Sequence, residues 1–430
     1  MVSLAAALGL ALAFSSPPAA AVGVPGTGVV RVSGPSPLPP ACESRGAQRG
    51  SEVEPSIAAG PGGTLVVAWQ QDRYVGLAAA ALGVTVSHDG GASWSPGSVP
   101  GLTDCSPGSG SASDPWVSIG PDGTAYLAAL VGHRSRRGFR TRVAVSISRD
   151  GARRWSQPRL LQAGGNGLND KPAVTADPAR PGRAYLVWTL EGRAYLSATR
   201  DGGRSWSPPR MIERPAERHG GLLSSTISVL PDGRLLHAFI AYGPSGMRLE
   251  ATRSRDSGVT WSRPVVVARV MRRPLRPRVR VLPISGTGAA VGAAGAVYEA
   301  LVQDGRAVQV VSSTDGGRTW SRPRSVVRRE LGVFGPAIAA YPDGSLALTY
   351  YAREPGGMAS FWVARSPDGI VWREHPVAAP FSLERAPTSG GAAFLGDYSG
   401  LTAGAAAFAA SPPLASYGHS DVFVALDGGG

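Results

Sequence analysis

The chain has 430 residues, with 43 Lys or Arg against 30 Asp or Glu, a formal net charge of +13 and only two cysteines. Its length allows a large core, and its charge favours anionic partners such as acidic glycans. Nucleic acid is not an expected partner, because no recognition helix, zinc-ligand spacing or aromatic-basic strand platform is present, and no stretch after the N-terminal segment is long and apolar enough to span a bilayer. Lys171 is the only lysine, so the positive charge is otherwise guanidinium.

In chain order, residues 4–14 form an apolar run that gives way to Ser15-Ser-Pro-Pro and Ala19-Ala20-Ala21, the small-residue pattern of a signal-peptidase site. The reading is a signal peptide over residues 1–21 and an exported product, extracellular or periplasmic. Residues 22–50 follow as a lead-in segment, in which residues 28–32 read as a strand, and residues 51–430 as one domain. Cys42 and Cys105 lie 63 residues apart. In an exported chain one such pair most simply forms one disulfide, and closing a loop of that size stabilises a fold by roughly 4 kcal/mol through loop entropy.

The domain alternates apolar runs with Pro/Asp/Gly turns, as in residues 54–69, 114–128, 225–233 and 334–344, a spacing that indicates short antiparallel strands. Six units end in one motif: Ser87-His-Asp89 to Trp94, Ser148-Arg-Asp150 to Trp155, Thr199-Arg-Asp201 to Trp206, Ser254-Arg-Asp256 to Trp261, Ser313-Thr-Asp315 to Trp320, and a copy one residue shorter, Ser366-Pro-Asp368 to Trp372. It reads as a hairpin turn in which the Asp accepts backbone N–H groups, the glycines take positive φ and the Trp folds back as a cover. The Asp-to-Asp steps are 61, 51, 55, 59 and 53 residues. A period near fifty with strand-rich contents predicts the blades of an all-β propeller. Beyond the sixth motif, residues 398–404, 406–410 and 421–426 supply three more strands, and pairing them with residues 28–32 would close the ring. The expectation is seven blades, with six as the alternative.

The six motifs resemble the Asp boxes of the sialidase-like β-propellers. In that family the boxes join the third and fourth strands of each blade, on the face opposite the active site, so the resemblance implies that Asp89, Asp150, Asp201, Asp256, Asp315 and Asp368 are structural. The opposite face would then collect Glu54, Asp114, Asp170 and Asp397, which stand beside Pro or Gly where innermost strands begin. Pooled carboxylates could hold a hard cation such as calcium, position a polyol or perform acid/base work; the alternative is that each caps a tight turn. Arg269, Arg272, Arg273, Arg276, Arg278 and Arg280 form either a clamp for a planar anion or a solvated loop. The catalytic sialidase pattern is matched in part. Val53-Glu54-Pro55 stands where that family has Arg-Ile-Pro, and no Asp lies between Tyr74 and Val86, where the acid/base residue would be expected. Arg73 matches a basic position, and Tyr398-Ser399 resembles the nucleophile strand, with Glu299 as the tyrosine's prospective partner and Asp397 beside it.

The resemblance implies an exported, monomeric propeller that recognises an extracellular glycan or acidic sugar at its central pocket with no required cofactor. As an enzyme it would be an exo-α-sialidase-like glycoside hydrolase. The alternative is a catalytically inactive binding or scaffold propeller for protein or acidic polymer partners.

Overall fold

The computed structural model describes residues 28–39, 46–76, 78–97, 99–105, 110–135, 138–163, 167–271, 278–281, 288–412 and 414–426. The expected signal peptide, Cys42, Arg272, Arg273 and Arg276 lie outside them. Among the described residues the regular structure is β, apart from single 3-10 turns at Pro61–Gly63 and Pro355–Gly357. Middle strands such as Leu65–Arg73 and Ala79–Ser87 are buried along their whole length, since each sheet is packed on both faces. Outermost strands such as Arg210–Glu213 and Arg373–Pro376 are short, charged and largely exposed, which blunts their free edges.

Residues 169–213, 221–270 and 290–328 each form a four-stranded antiparallel sheet, and residues 333–382 a five-stranded one. A further four-stranded sheet draws on both ends of the described chain: Val29–Arg31 pairs with Asp421–Leu426, which continues through Ala405–Ala410 to Gly400–Thr402. This is the closure expected from the sequence, and it joins the two ends of the ring. Residues 52–161 form one eight-stranded sheet. Hydrogen bonding therefore delimits five separate blade sheets beside the eight-stranded one, in place of the seven or six separate blades expected. The physical reason lies at Ala79, which pairs with Ala112. Two small side chains let the third strand of one four-stranded unit meet the first strand of the next, and the two units become continuous.

The first strand of each unit packs on the first strand of its neighbour. The series runs from Glu52–Ala59 through Ala112–Ile119, Asn169–Ala176, Gly221–Val229, Ala290–Val291 and Val333–Ala340 to Gly400–Thr402, which returns to Glu52–Ala59. Such a closed ring of antiparallel meanders is a β-propeller. Hydroxyls tie these inner strands together: Ser56 Oγ accepts from Val117 N at 3.1 Å, Ser118 Oγ accepts from Ala176 N at 3.0 Å, and Thr175 Oγ1 donates to the Ile227 carbonyl at 2.7 Å. Between the sheets, Trp188, Tyr126, Phe239, Phe361 and Phe408 are fully buried.

Each of the six Asp-to-Trp motifs, the box turns, closes the hairpin between a third and a fourth strand. In the third copy Asp201 accepts from Thr199 Oγ1 and Ser205 N, both at 2.9 Å, and from Ser205 Oγ at 2.5 Å, while Thr199 Oγ1 accepts from Gly203 N. Asp89, Asp150, Asp256, Asp315 and Asp368 accept equivalent backbone N–H bonds. Gly203 has φ +79°, and a Cβ there would stand 2.6 Å from Ile147 Cδ1, so the turn presses on the preceding sheet. Trp206 is 8% exposed and meets Tyr126 edge-on at 6.4 Å.

Candidate functional site

Five inner strands break register close to their first residues, and three of these breaks, at Val53/Ser56, Ser113/Trp116 and Asp170/Ala173, bear on the site. At each of the three a residue before proline takes the left-handed region: Glu54 at φ 55°, Asp114 at φ 53° and Lys171 at φ 49°. A bulge of this kind re-aims a side chain out of the strand's alternation, and left-handed backbone at a non-glycine residue stores strain of about 1–2 kcal/mol. Here the bulges aim Glu54, Asp114 and Lys171 into one cleft of about 320 Å³. Asp397 arrives from the closing sheet, beside Gly396. A Cβ at Gly396 would meet Glu54 N at 2.8 Å, so only glycine lets the two strands approach closely enough for Asp397 N to donate to Glu54 Oε1 at 3.1 Å.

Lys171 is the centre of the cluster. Its Nζ lies 2.7 Å from Asp114 Oδ1, 2.7 Å from Asp397 Oδ2 and 3.5 Å from Glu54 Oε1, with 12% of its side chain exposed. Burial pulls its pKa down, but Asp114, Asp397 and Glu54 together hold it well above the ordinary lysine value. The carboxylates separate in the opposite sense. Burial pushes Glu54 up to about 7 and Asp170 up to about 6, against the pull of Lys171. For Asp397 burial also acts upward, but Lys171 and Arg280 outweigh it and leave the group below its usual range. Near pH 6 the cleft therefore holds Glu54 largely protonated and Asp170 in exchange beside an ionised Asp397, the separation that acid/base assignments require.

The two cleft arginines differ. Arg73 is buried, with its guanidinium bonded to the Tyr74 carbonyl at 2.8 Å, the Thr388 carbonyl at 3.3 Å and Ser389 Oγ at 3.4 Å, over the Phe394 ring at 4.3 Å. It is largely spent on the protein. Arg280 also bonds Ser389 Oγ and approaches Asp397 at 3.7 Å, yet 41% of its side chain is exposed, so it has donors left for a ligand. Phe139, Leu168, Leu223, Tyr242 and Phe394 supply apolar lining, with Leu168 50% and Tyr242 38% exposed at the rim.

The structure thus gathers Glu54, Asp114, Asp170, Asp397, Arg73 and Arg280 in one place and corrects other expectations. Tyr398 lines a separate axial cavity, where its hydroxyl donates to the Pro115 carbonyl at 2.8 Å, and burial raises its pKa well above the ordinary phenol value. Glu299 sits in the buried strand Val297–Gln303 and lines neither cavity. Tyr398 and Glu299 therefore do not form a nucleophile pair. Arg278 and Arg269 are exposed and do not line the cleft. Where a calcium ion would sit among the carboxylates, the Lys171 ammonium already stands. Sequence reasoning missed Lys171 as a site residue, although two signals marked it: it is the chain's only lysine, and Lys171-Pro172 repeats the residue-Pro pattern of Glu54-Pro55 and Asp114-Pro115.

No family model and no curated protein matches this sequence. Among solved structures, an ulvan lyase described as a new family of polysaccharide lyase is 12% identical, with a TM-score of 0.57, over 88% of this chain and 95% of that one. A protein of unknown function from Dyadobacter fermentans is 15% identical, with a TM-score of 0.53, over 72% of this chain and 93% of that one. A sialidase from Streptococcus pneumoniae is 14% identical, with a TM-score of 0.48, over 74% of this chain and 67% of that one. At such identities the first two likenesses show the fold. The chain is an all-β propeller with a carboxylate-rich cleft at one end of its strands.

Proposed function

We propose that this is an exported propeller that recognises a glycan in the Lys171 cleft. The observation that carries the reading is the convergence of four carboxylates and one lysine, from four separate strand beginnings, beside an apolar wall. Charged acceptors and donors grip sugar hydroxyls strongly, and a concave, mostly apolar pocket with a few convergent polar groups is the usual form of a small-molecule site. The similar fold of an ulvan lyase supports a polysaccharide ligand by analogy of fold alone. Export through residues 1–21 and a Cys42–Cys105 disulfide belong to the same reading.

Turnover is a second reading, favoured by one observation: Asp170 is raised to about 6 while Asp397 is held low. Asp170 would protonate a glycosidic oxygen and Asp397 would act as the ionised partner. Against it, Lys171 already engages Asp397 and Asp114, which suits recognition without cleavage.

The test is calorimetric titration of the purified protein with a panel of neutral and acidic polysaccharides, with release of reducing ends or unsaturated products measured in parallel. Binding to at least one glycan is expected, weakened tenfold or more in Asp114→Asn and in Arg280→Gln. Turnover, if measured, should vanish in Asp170→Asn while binding persists. Failure of every glycan to bind, or binding indifferent to both cleft variants, would sink the reading.

A further inference from the structure

The box turns stand at the far end of the strands from the cleft. Gly192 lines the cleft, and the seven-residue strand Arg193–Thr199 runs from there to the third box, a distance of roughly 23 Å at the usual rise per residue. On that far face, a recess of about 310 Å³ opens where Arg234, Arg253, Arg255 and Arg318 converge beside Trp261. Arg234, Arg253, Arg255 and Trp261 come from the 221–270 sheet and its turns, and Arg318 from the box of the 290–328 sheet.

Nearby carboxylates offset part of this charge, Asp315 acting on Arg253 and Asp232 on Arg234, but their acceptor oxygens are mostly taken elsewhere. Asp256 is committed to its own turn, accepting from Ser254 Oγ, Thr260 N and Thr260 Oγ1. Asp315 is committed likewise to Ser313 Oγ, Arg318 N, Thr319 N and Thr319 Oγ1. Asp232 pairs with Arg234 Nε at 2.5 Å, leaving that arginine's terminal nitrogens free of an ion pair. Among the described residues, Arg253, Arg255 and Arg318 form no salt bridge with a carboxylate, and the enclosed Nε of Arg253 has no hydrogen-bond partner. The recess hydroxyls are occupied as well: Thr260 Oγ1 by Asp256, and Ser262 Oγ by Arg253 N and the Arg263 carbonyl. What remains is a ring of unused guanidinium donors.

We propose that this recess is a second binding site, distinct from the cleft, for a phosphate or sulfate group. Guanidinium forks match tetrahedral oxyanions bidentately, and a dianion would supply acceptors to guanidinium donors that the protein leaves unused. A carboxylate brings one charge and one plane, which serves fewer of the four arginines. The site is independent of the glycan reading, because it rests on the opposite face and on other residues.

Inorganic phosphate and inorganic sulfate, titrated separately into the full-length protein at low ionic strength, test the proposal, with chloride as the ionic-strength control. At least one should bind saturably at a single site. In the Arg255→Gln/Arg318→Gln double variant, whose two side chains are exposed and should leave folding intact, the affinity should fall at least tenfold. Arg210→Gln, which removes an exposed charge on another sheet, should leave it unchanged. Phosphate alone or sulfate alone as the ligand names the preferred group, and either supports the site. Absence of saturable binding beyond the chloride control, a double variant that binds like the wild type, or equal weakening by Arg210→Gln would overturn it.

Discussion

On the box face Asp201 is half-buried yet solvated, accepts hydrogen bonds from Ser205 and Thr199, and has its pKa drawn down to about 2, first by the Ser205 hydroxyl. On the cleft face Asp170 is partly covered, and burial pushes it up to about 6. One residue type thus meets opposite electrostatic fates at the two ends of the strands. On one face the carboxylate is a permanently charged clasp for a turn. On the other it shares a confined space with three other acids around one ammonium, and its proton becomes exchangeable near neutral pH. The contrast locates chemistry: hydrogen-bonded, solvated aspartates hold the fold, and desolvated ones are available for function.

Lys171→Met should break the contrast most strongly. It removes the ammonium between Asp114 and Asp397, and losing one partner of a largely buried ion cluster costs about 3–5 kcal/mol. Denaturant unfolding near neutral pH should show the full loss, and at about pH 5 the loss should shrink. Glu54 and Asp170, raised to about 7 and about 6 in the folded state, then hold their protons. Between the ordinary carboxylate values near 4 and these raised values the folded protein binds the extra protons, so stability falls as pH rises through that window. A variant equally weakened at both pH values would mean that Lys171 acts by packing rather than by charge.

Trp206→Ala should sharpen the contrast from the other face. Deleting this nearly buried cover of the third box should destabilise the fold by about 3 kcal/mol, while glycan affinity of the folded protein stays within about twofold of wild type. Selective loss of binding in a well-folded variant would show that the two faces are not separate.

The smallest effect is expected at Glu299, which is buried like the cleft acids but has no ammonium beside it. Its Oε1 lacks a hydrogen-bond partner, and burial pushes its pKa up to about 8. Its neutral form suits the fold below the ordinary glutamate value, and stability is lost as pH rises toward about 8. Glu299→Gln should therefore raise the Tm at about pH 9 and change it little at about pH 4. A Tm that moves equally at both pH values would assign the effect to packing.

The box turns were legible because their chemistry is local: Ser or Thr, Asp, the glycines and Trp meet within eight residues, and repetition at a period near fifty leaves few architectures open. The closing strand at residues 28–32 was legible for a related reason, since the C-terminal sheet was one strand short. Four of the cleft residues, Glu54, Asp114, Asp170 and Asp397, could be named because a ring brings equivalent strand beginnings together wherever they lie in the chain. Other features needed the tertiary structure. That Ala79 meets Ala112 and fuses two units depends on the lateral spacing of two strands, which no periodicity encodes. That Tyr398 turns its hydroxyl to the Pro115 carbonyl, away from the cleft, depends on which side of a strand faces the axis. The bulges at Val53/Ser56, Ser113/Trp116 and Asp170/Ala173 are equivalent, so the residue-Pro pattern already aligned Lys171 with Glu54 and Asp114. What the tertiary structure decided is that these side chains converge with Asp397 and set the Lys171 ammonium among the carboxylates. The distances among them are set by packing around the ring, which brings together residues from separate blades and is encoded in no local stretch of sequence.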